Sequence, residues 1–232
     1  MKDYEILKEF WDQNFKVSEE EIEELKNQIS KDSDYLSLAP SAKLASTLDY
    51  FKGLDNVLDY GCGSGWASII LAKNGIKKVC AVDVSASSIS LTNLYSSLFK
   101  VNDQVNSIVI DKDWLSKQSD SSSDGIFSSN VIDVLPLSMS KDIVKESARI
   151  LKKDGIAIFS LNYYIDPNLM AKRGFEIKDN QIYIDGVLRL TSLKDSEWLE
   201  IFDEFFILIK LDYFAWPNEE KETRRIFVLK KK

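Results

Sequence analysis

Three glycines that alternate with other residues follow a short apolar run. Residues 57–66 have the sequence Val-Leu-Asp-Tyr-Gly-Cys-Gly-Ser-Gly-Trp. Where a strand enters such a turn and leaves it as a helix, a ligand can closely approach the backbone N–H groups at the helix N-terminus. The pattern predicts a site for a nucleotide-like cofactor, although a tight turn alone would also use glycines. The predicted cofactor residues in this turn are Asp59, Gly61, Cys62, Gly63 and Gly65.

Two other cofactor-binding turns are less compatible with these residues. A dinucleotide-binding turn of the form G-x-G-x-x-G would need a glycine at position 66, where Trp66 would obstruct helix–strand packing and the approach of a pyrophosphate. A P-loop would need Lys and then Ser or Thr, but Gly65 is followed by Trp66 and Ala67. ATP or GTP hydrolysis is therefore disfavoured. An NAD(P)-dependent oxidoreductase stays as the alternative enzyme class, because it shares the strand–turn–helix arrangement.

The same residues closely resemble motif I of the class I S-adenosylmethionine (SAM) dependent methyltransferases, Asp-x-Gly-x-Gly-x-Gly. The resemblance implies a Rossmann-like domain that binds SAM and releases S-adenosyl-L-homocysteine. It also implies that Asp83, at the end of the second predicted strand, accepts hydrogen bonds from both ribose hydroxyls, with Val84 beside it. A carboxylate is a strong acceptor because such hydrogen bonds are charge-assisted. Asp83 would also suit the N-cap of the following helix, and this interpretation stays open.

Segments after the third and fourth predicted strands are also similar to this family. Asp113 and Trp114 match the acidic and apolar pair that contacts the adenine amino group and ring, although Asp111 fits a slightly different register. A tryptophan at this place could equally pack in the core. Asn130 lies in the segment that resembles the fourth strand and is a further cofactor-binding candidate. The resemblance covers about residues 54–161 and the terminal hairpin.

The residues available for catalysis are limited, because the chain has no histidine. An imidazole base and a His-bearing metal site are therefore excluded, and no metal site is predicted. Methyl transfer from a sulfonium is an in-line displacement that mainly requires a positioned acceptor and the exclusion of water. If the acceptor must lose a proton, a carboxylate, Tyr or Lys near the site would take it. The candidates are Asp133, Tyr163 and Tyr164, and none is singled out as the base.

Alternating elements must hold these residues at one edge of a sheet. Short apolar runs predict strands, and stretches with helical spacing of apolar residues separate them. Such alternation forms a parallel sheet whose carboxyl edge binds ligands. Together with the resemblance, it predicts an α/β fold with a seven-stranded, mostly parallel sheet, helices on both faces and an antiparallel last strand. The predicted core strands are 56–59, 78–83, 106–110, 124–129 and 155–161, with helices at 67–74, 87–99 and 141–152.

A single domain is predicted, with additions before and after its core. Helical spacing precedes the core and includes a helix from Ser41 to Phe51, while Asp179-Asn180 and Asp185-Gly186 mark turns in a small β insertion after the fifth strand. The N-terminal helices and the segment 166–193 are expected to enclose the acceptor. The predicted parts of the domain (1–232) are an N-terminal helical arm or lid (1–52), a cofactor-binding core (54–161), a substrate-side insertion (162–200) and a C-terminal β-hairpin (201–232).

Composition narrows the possible partners. The formal net charge is -7 and the basic residues are scattered, so a nucleic-acid partner is disfavoured and a small-molecule acceptor is expected. Asn-Val-Ile-Asp at 130–133 also departs from the Asn/Asp-Pro-Pro-aromatic sequence of the methyltransferases that act on adenine or amide nitrogen. A non-catalytic SAM-binding partner subunit is the third function considered. It would keep the glycine turn but lack an open acceptor pocket.

The cysteines and apolar segments bear on location. Cys62 and Cys80 do not form the framework of a disulfide-rich domain, and charged residues interrupt every apolar stretch long enough to suggest a signal peptide or a membrane span. A cytoplasmic protein without a membrane partner is therefore expected, as a monomer or a homodimer.

Overall fold

The computed structural model describes residues 2–31 and 34–232, so residues 1, 32 and 33 of the predicted arm lie outside the described residues. The α-helices are α1 (Lys2–Asn14), α2 (Glu19–Lys31), α3 (Ala42–Ser46), α4 (Trp66–Lys73), α5 (Ala86–Leu98), α6 (Leu137–Ile150), α7 (Pro167–Lys172) and α8 (Asp195–Asp203). The β-strands are β1 (Asn56–Tyr60), β2 (Lys78–Asp83), β3 (Val105–Val109), β4 (Ser123–Ser129), β5 (Leu151–Leu161), β6 (Glu176–Lys178), β7 (Gln181–Ile184), β8 (Val187–Thr191), β9 (Phe206–Phe214) and β10 (Arg224–Lys231).

Seven strands form the main sheet in the order β3-β2-β1-β4-β5-β10-β9. Neighbouring strands among β1 to β5 run parallel, and β10 runs antiparallel to both β5 and β9. This arrangement confirms the predicted α/β fold class. The chain moves from β1 to β2 on one side and β4 lies on the other, so the strand order reverses beside β1. Open α/β sheets bind ligands outside the carboxyl ends of the strands at such a point.

The central strands are apolar on both faces because helices cover the sheet on both sides. Residues 57–60 of β1 and 226–229 of β10 are all buried. On one face, the ring of Phe202 in α8 stacks on Phe159 of β5 at a centroid distance of 5.3 Å. It also packs at 5.1 Å from Phe227 of β10. This aromatic cluster fixes α8 and the terminal hairpin to the parallel core.

A separate antiparallel sheet, β6-β7-β8, follows β5 and confirms the predicted β insertion. Asp185 and Gly186 between β7 and β8 both have positive φ, as the tight turn of a hairpin requires. Helix α1 packs on this sheet, because Leu7 is buried against Tyr183 and Leu188. The N-terminal arm and the insertion therefore meet each other over the carboxyl edge of the main sheet.

Four helical segments differ from their predictions. The helix expected at 41–51 divides into α3 and a 3-10 turn at Thr47–Phe51, where the Thr47 hydroxyl donates to the Leu44 carbonyl at 2.6 Å and competes with regular helix hydrogen bonds. The helix expected to reach 152 ends at 150, because Leu151 already begins β5. Helices α7 and α8 were not predicted. Among the described residues, no helix combines the length and the apolar character needed to cross a bilayer.

Substitution of Phe202 tests the aromatic cluster. Phe202 is 1% exposed, so Phe202→Ala should lower the free energy of unfolding by about 3–5 kcal/mol through lost burial and a residual cavity. Ile207→Ala on the edge strand β9 is the matched control, because Ile207 is 54% exposed and its truncation should change stability by less than about 0.5 kcal/mol. Urea denaturation followed by circular dichroism measures both, and equal losses in the two variants would contradict the assignment.

Candidate functional site

The glycine turn lies between the carboxyl ends of β1 and β2. The N–H groups of Gly61 and Cys62 donate to the Val82 carbonyl at 2.8 and 3.0 Å, so the turn is tied to the neighbouring strand. Gly61 has φ of +75°, and a Cβ there would lie 2.2 Å from Cγ2 of Val131. Gly65 has φ of +82° and is the N-cap of α4. The turn therefore requires glycine for both its backbone conformation and its close approach to the β4 side.

Asp83 holds the next part of the turn. Its Oδ2 accepts a hydrogen bond from the Gly63 N–H at 3.0 Å, and its Oδ1 accepts from the Ser85 N–H at 2.9 Å. Ser85, not Asp83, is the N-cap of α5, since the Ser85 hydroxyl oxygen accepts from the Ser88 N–H. Burial raises the pKa of Asp83 against these hydrogen bonds. Each carboxylate oxygen keeps a further lone pair for a ligand.

Asp59 is the second buried acid of the turn, 2% exposed at the end of β1. The Ser68 hydroxyl of α4 donates to its Oδ2 at 2.6 Å and links strand to helix. Burial raises the pKa of Asp59 to about 7, with a further contribution from the negative charge of Asp83. Asp59 therefore links β1 to the helix that follows the turn, while Asp83 accepts a hydrogen bond from the turn itself.

The segment after β3 places only part of the predicted adenine pair at the site. Asp113 lines the main cavity, and Lys112 pairs with it at 2.8 Å. Asp111 pairs with Lys117 and is not a lining residue. The Trp114 side chain packs against the core cluster of the sheet, and Leu115 lines the cavity in its place. Of the two candidate acids, Asp113 and not Asp111 lies at the cavity. Trp114, which was expected to contact the adenine ring, does not line it.

The carboxyl ends of β4 and β5 are joined by paired side-chain amides. Asn130, which has φ of +56°, donates from Nδ2 to Oδ1 of Asn162 at 2.9 Å. The backbone N–H and Nδ2 of Asn162 both donate to Oδ2 of Asp133, at 2.6 and 2.9 Å. Asp133 is fully buried and does not line the cavity, and burial raises its pKa. Asp133 is not positioned to act as the base, because its carboxylate is buried outside the cavity lining and accepts two hydrogen bonds from Asn162.

Arg224 of β10 extends this network of hydrogen bonds and also lines the cavity. Its Nη1 donates to Oδ1 of Asn162, and its Nη2 pairs with Oε1 of Glu219 at 2.6 Å. The guanidinium carbon lies 3.5 Å from the ring centroid of Trp216. Tyr163 lines the cavity next to this group, whereas Tyr164 does not. Of the three candidate bases, Tyr163 alone is a lining residue.

The main cavity has a volume of about 940 Å³ and extends from the glycine turn to the small sheet. Ligand pockets commonly measure roughly 300–1,000 Å³, so the space suits a nucleotide-like cofactor together with a second small molecule. Helix α1 and the residue directly after it cover the cavity with four aromatic or aliphatic side chains that recur at helical spacing. These are Tyr4, Leu7, Trp11 and Phe15.

Polar and aromatic contacts hold α1 over the turn. Oδ1 of Asp12 accepts from the Ser85 hydroxyl and from the Ser87 N–H, each at 2.9 Å. The ring of Phe15 lies against Gly63, with Cζ 3.0 Å from the position that a glycine Cβ would take. Motif comparison could not find these residues, because α1 precedes the region of resemblance. Their spacing indicated an apolar helix face but not the surface that it covers.

The strand order of the main sheet is that of the class I methyltransferase fold. Residues 58–159 match the family model described as a methyltransferase domain, which confirms the resemblance to class I SAM-dependent methyltransferases. The ribosomal protein L11 methyltransferase of Thermosipho melanesiensis is 35% identical over 125 residues, which cover 53% of this chain. Those residues span only 45% of that protein's length, less than half of this curated relative.

Solved structures show the same fold. The PH0226 protein of Pyrococcus horikoshii OT3 superposes with a TM-score of 0.65 at 21% identity, over 81% of this chain and 86% of that one. A Haloferax volcanii protein solved in complex with the Trm112 methyltransferase activator gives 0.64 at 21% identity, over 93% and 97% of the two chains. The N-methyltransferase NodS of Bradyrhizobium japonicum WM9, solved with S-adenosyl-L-homocysteine, gives 0.59 at 14% identity, over 82% and 86%.

The raised pKa of Asp59 predicts a pH-dependent stability. The carboxyl titrates near 3.8 when unfolded and near 7 when folded, so the native state holds the proton more tightly. Its contribution is complete below the unfolded pKa and is lost as the pH rises toward 7, so the free energy of unfolding should fall across this window. Asp59→Asn should flatten that fall, as measured by denaturation at a series of pH values.

Asp111→Asn is the control for this prediction. Asp111 is exposed, and its hydrogen bond from Lys117 lowers its pKa, so the substitution should not flatten the loss of stability. An unchanged pH dependence in Asp59→Asn would show that this carboxyl does not titrate in the expected window.

Proposed function

We propose that the protein binds SAM on the glycine turn and transfers its methyl group to a small-molecule acceptor. The observation that carries the proposal is the meeting of the glycine turn, Asp83 and the main cavity at the carboxyl ends of β1 and β2. The match of residues 58–159 to a methyltransferase domain supports the same cofactor. The product is S-adenosyl-L-homocysteine.

The residues present fit this cofactor. Gly61 and Gly63 carry no side chain and both line the cavity, so their backbone faces the space that a ligand would occupy. Asp83 and Val84 line the cavity at the end of β2 and are assigned to the ribose and its surroundings. Asp113 is assigned to the adenine amino group. Asn130 and Cys62 line the cavity between these positions and the acceptor space.

The chain's role in the reaction is mainly to position the acceptor and to exclude water from the reacting centre. Bound SAM supplies an electrophilic methyl carbon on a positively charged sulfur. An acceptor lone pair attacks that carbon in line with the carbon–sulfur bond, whose electrons return to sulfur, and the acceptor gives up any proton to a nearby base or to solvent. Tyr163 is the candidate base that lines the cavity, and helix α1 shields the reacting centre from water.

A small-molecule acceptor is favoured by the walls of the remaining space. They include four apolar side chains of the segment after β5 and of the small sheet, namely Ile165, Met170, Ile182 and Leu190, beside the charged side chain of Arg189 in β8. Helix α1 contributes Leu7 and Trp11 to the same lining, so the arm, the segment after β5 and the small sheet together form the acceptor space. The net charge of -7 also disfavours a nucleic acid. The unpaired Cys62 and Cys80 fit the cytoplasmic monomer or homodimer that is part of the same proposal.

Binding to the purified protein tests the cofactor. Calorimetry should give micromolar affinity for SAM and S-adenosyl-L-homocysteine, with no comparable binding of NADH. Asp83→Ala should weaken both by at least about tenfold, because it removes charge-assisted hydrogen bonds worth roughly 1.5–3 kcal/mol each. Asp111→Ala removes an acid that does not line the cavity and should leave affinity unchanged.

The alternatives give different results in the same samples. A preference for NADH would replace the proposal with the oxidoreductase. Tight SAM binding without S-adenosyl-L-homocysteine formation across a panel of phenol, amine, carboxylate and thiol acceptors would favour the non-catalytic partner subunit. Product formation with any acceptor, detected by mass spectrometry, would support methyl transfer.

A further inference from the structure

The Tyr4 hydroxyl is a buried polar group without a hydrogen-bond partner among the described residues. Its side chain lines the main cavity, at the first turn of α1. Buried hydroxyls in folded proteins are almost always satisfied, and leaving one unpaired is unfavourable. An unpaired hydroxyl at a cavity wall therefore points to a polar ligand atom that would occupy the cavity.

The surroundings of Tyr4 identify the part of the cavity concerned. Burial raises the pKa of the Tyr4 hydroxyl, and the negative charges of Glu5, Asp111, Asp113 and Asp83 raise it further. The hydroxyl therefore stays protonated at neutral pH and can donate a hydrogen bond. Asp83 and Asp113 line the same cavity as Tyr4 and are the acids assigned to the nucleoside, so the nucleoside is the part of the cofactor that we match to this hydroxyl.

Helix α1 is fixed well enough to place this hydroxyl. Asp12 accepts hydrogen bonds from Ser85 and Ser87, at the start of the helix that follows Asp83. Leu7 is 2% exposed and packs on the small sheet, between Tyr4 and Asp12 in the sequence. Both contacts lie on the C-terminal side of Tyr4 in the same helix, so the helix that carries Tyr4 is already positioned before a ligand binds.

We propose that Tyr4 is a cofactor-binding residue whose hydroxyl donates a hydrogen bond to the nucleoside part of the cofactor. Helix α1 is then a wall of the cofactor site as well as a cover for the acceptor. The inference rests on the proposed function, since it adds a ligand contact to the same cavity. It assigns a role to a residue that lies outside the region of resemblance to other methyltransferases.

Calorimetry with S-adenosyl-L-homocysteine and 5′-methylthioadenosine tests the contact, because the second probe keeps the nucleoside and lacks the amino-acid part. Tyr4→Phe should weaken both by about tenfold, the loss expected for one hydrogen bond. Tyr95→Phe is the matched control, since Tyr95 lies on α5 outside the cavity lining, and it should change neither affinity.

Stability separates a ligand contact from a structural role. Tyr4→Phe removes an unpaired hydroxyl and keeps the ring, so the ligand-free variant should unfold at the same or a higher temperature while its affinity falls. Unchanged affinities, or a loss confined to S-adenosyl-L-homocysteine, would overturn the assignment to the nucleoside while the cofactor stands. Absence of binding of both probes by the unsubstituted protein would overturn the proposed function, and this inference with it.

Discussion

The attachment of the glycine turn to the end of β2 is the interaction on which the site depends. The Val82 carbonyl accepts from Gly61 and Cys62, and the next residue, Asp83, accepts from Gly63. In these contacts the Val82 carbonyl and the Asp83 carboxylate, both at the carboxyl end of β2, hold a turn that follows the neighbouring strand β1. They can form because β1 and β2 are parallel and in register, with Tyr60 opposite Val82. The sheet thus sets the shape of the turn, and the turn sets where a ligand can lie.

Local signals were sufficient to predict this part of the molecule. The strand, the glycines and Asp83 are close in sequence. The apolar run predicts the strand, the glycines predict the turn, and the acid at the end of the next strand predicts a ligand contact. The side chains after β3 and β4 were harder, because their direction depends on packing that no local pattern contains. The Trp114 side chain packs in the core, and Asp133 is buried and accepts hydrogen bonds from Asn162. Both residues nevertheless lie near the carboxyl edge of the sheet, where the site was predicted. A residue's place at the carboxyl edge of the sheet does not decide whether its side chain faces the ligand.

The specific side-chain contacts between distant segments could not be predicted. Asn162 joins Asn130, Asp133 and Arg224, and the Arg224 contact spans 62 positions of sequence. Helix α1 likewise finds its place through Asp12, which reaches Ser87 across 75 positions. The helical spacing of α1 predicted an apolar face, but the surface that it covers is made of β2, α5 and the small sheet together. Only the folded chain brings those surfaces into one cavity.

The choice between SAM and a dinucleotide can be argued from charge and from packing. A dinucleotide would bring a pyrophosphate to the glycine turn, where Asp59 and Asp83 are buried and burial already raises the pKa of each carboxyl. Two further negative charges there would be repelled, whereas SAM carries no phosphate and has a cationic sulfur. At the position where a dinucleotide fold uses its last glycine, Trp66 instead packs edge-on against Phe127, with the ring centroids 5.5 Å apart. That indole fills the space between α4 and the sheet, so the turn that excludes a pyrophosphate sterically also opposes it electrostatically.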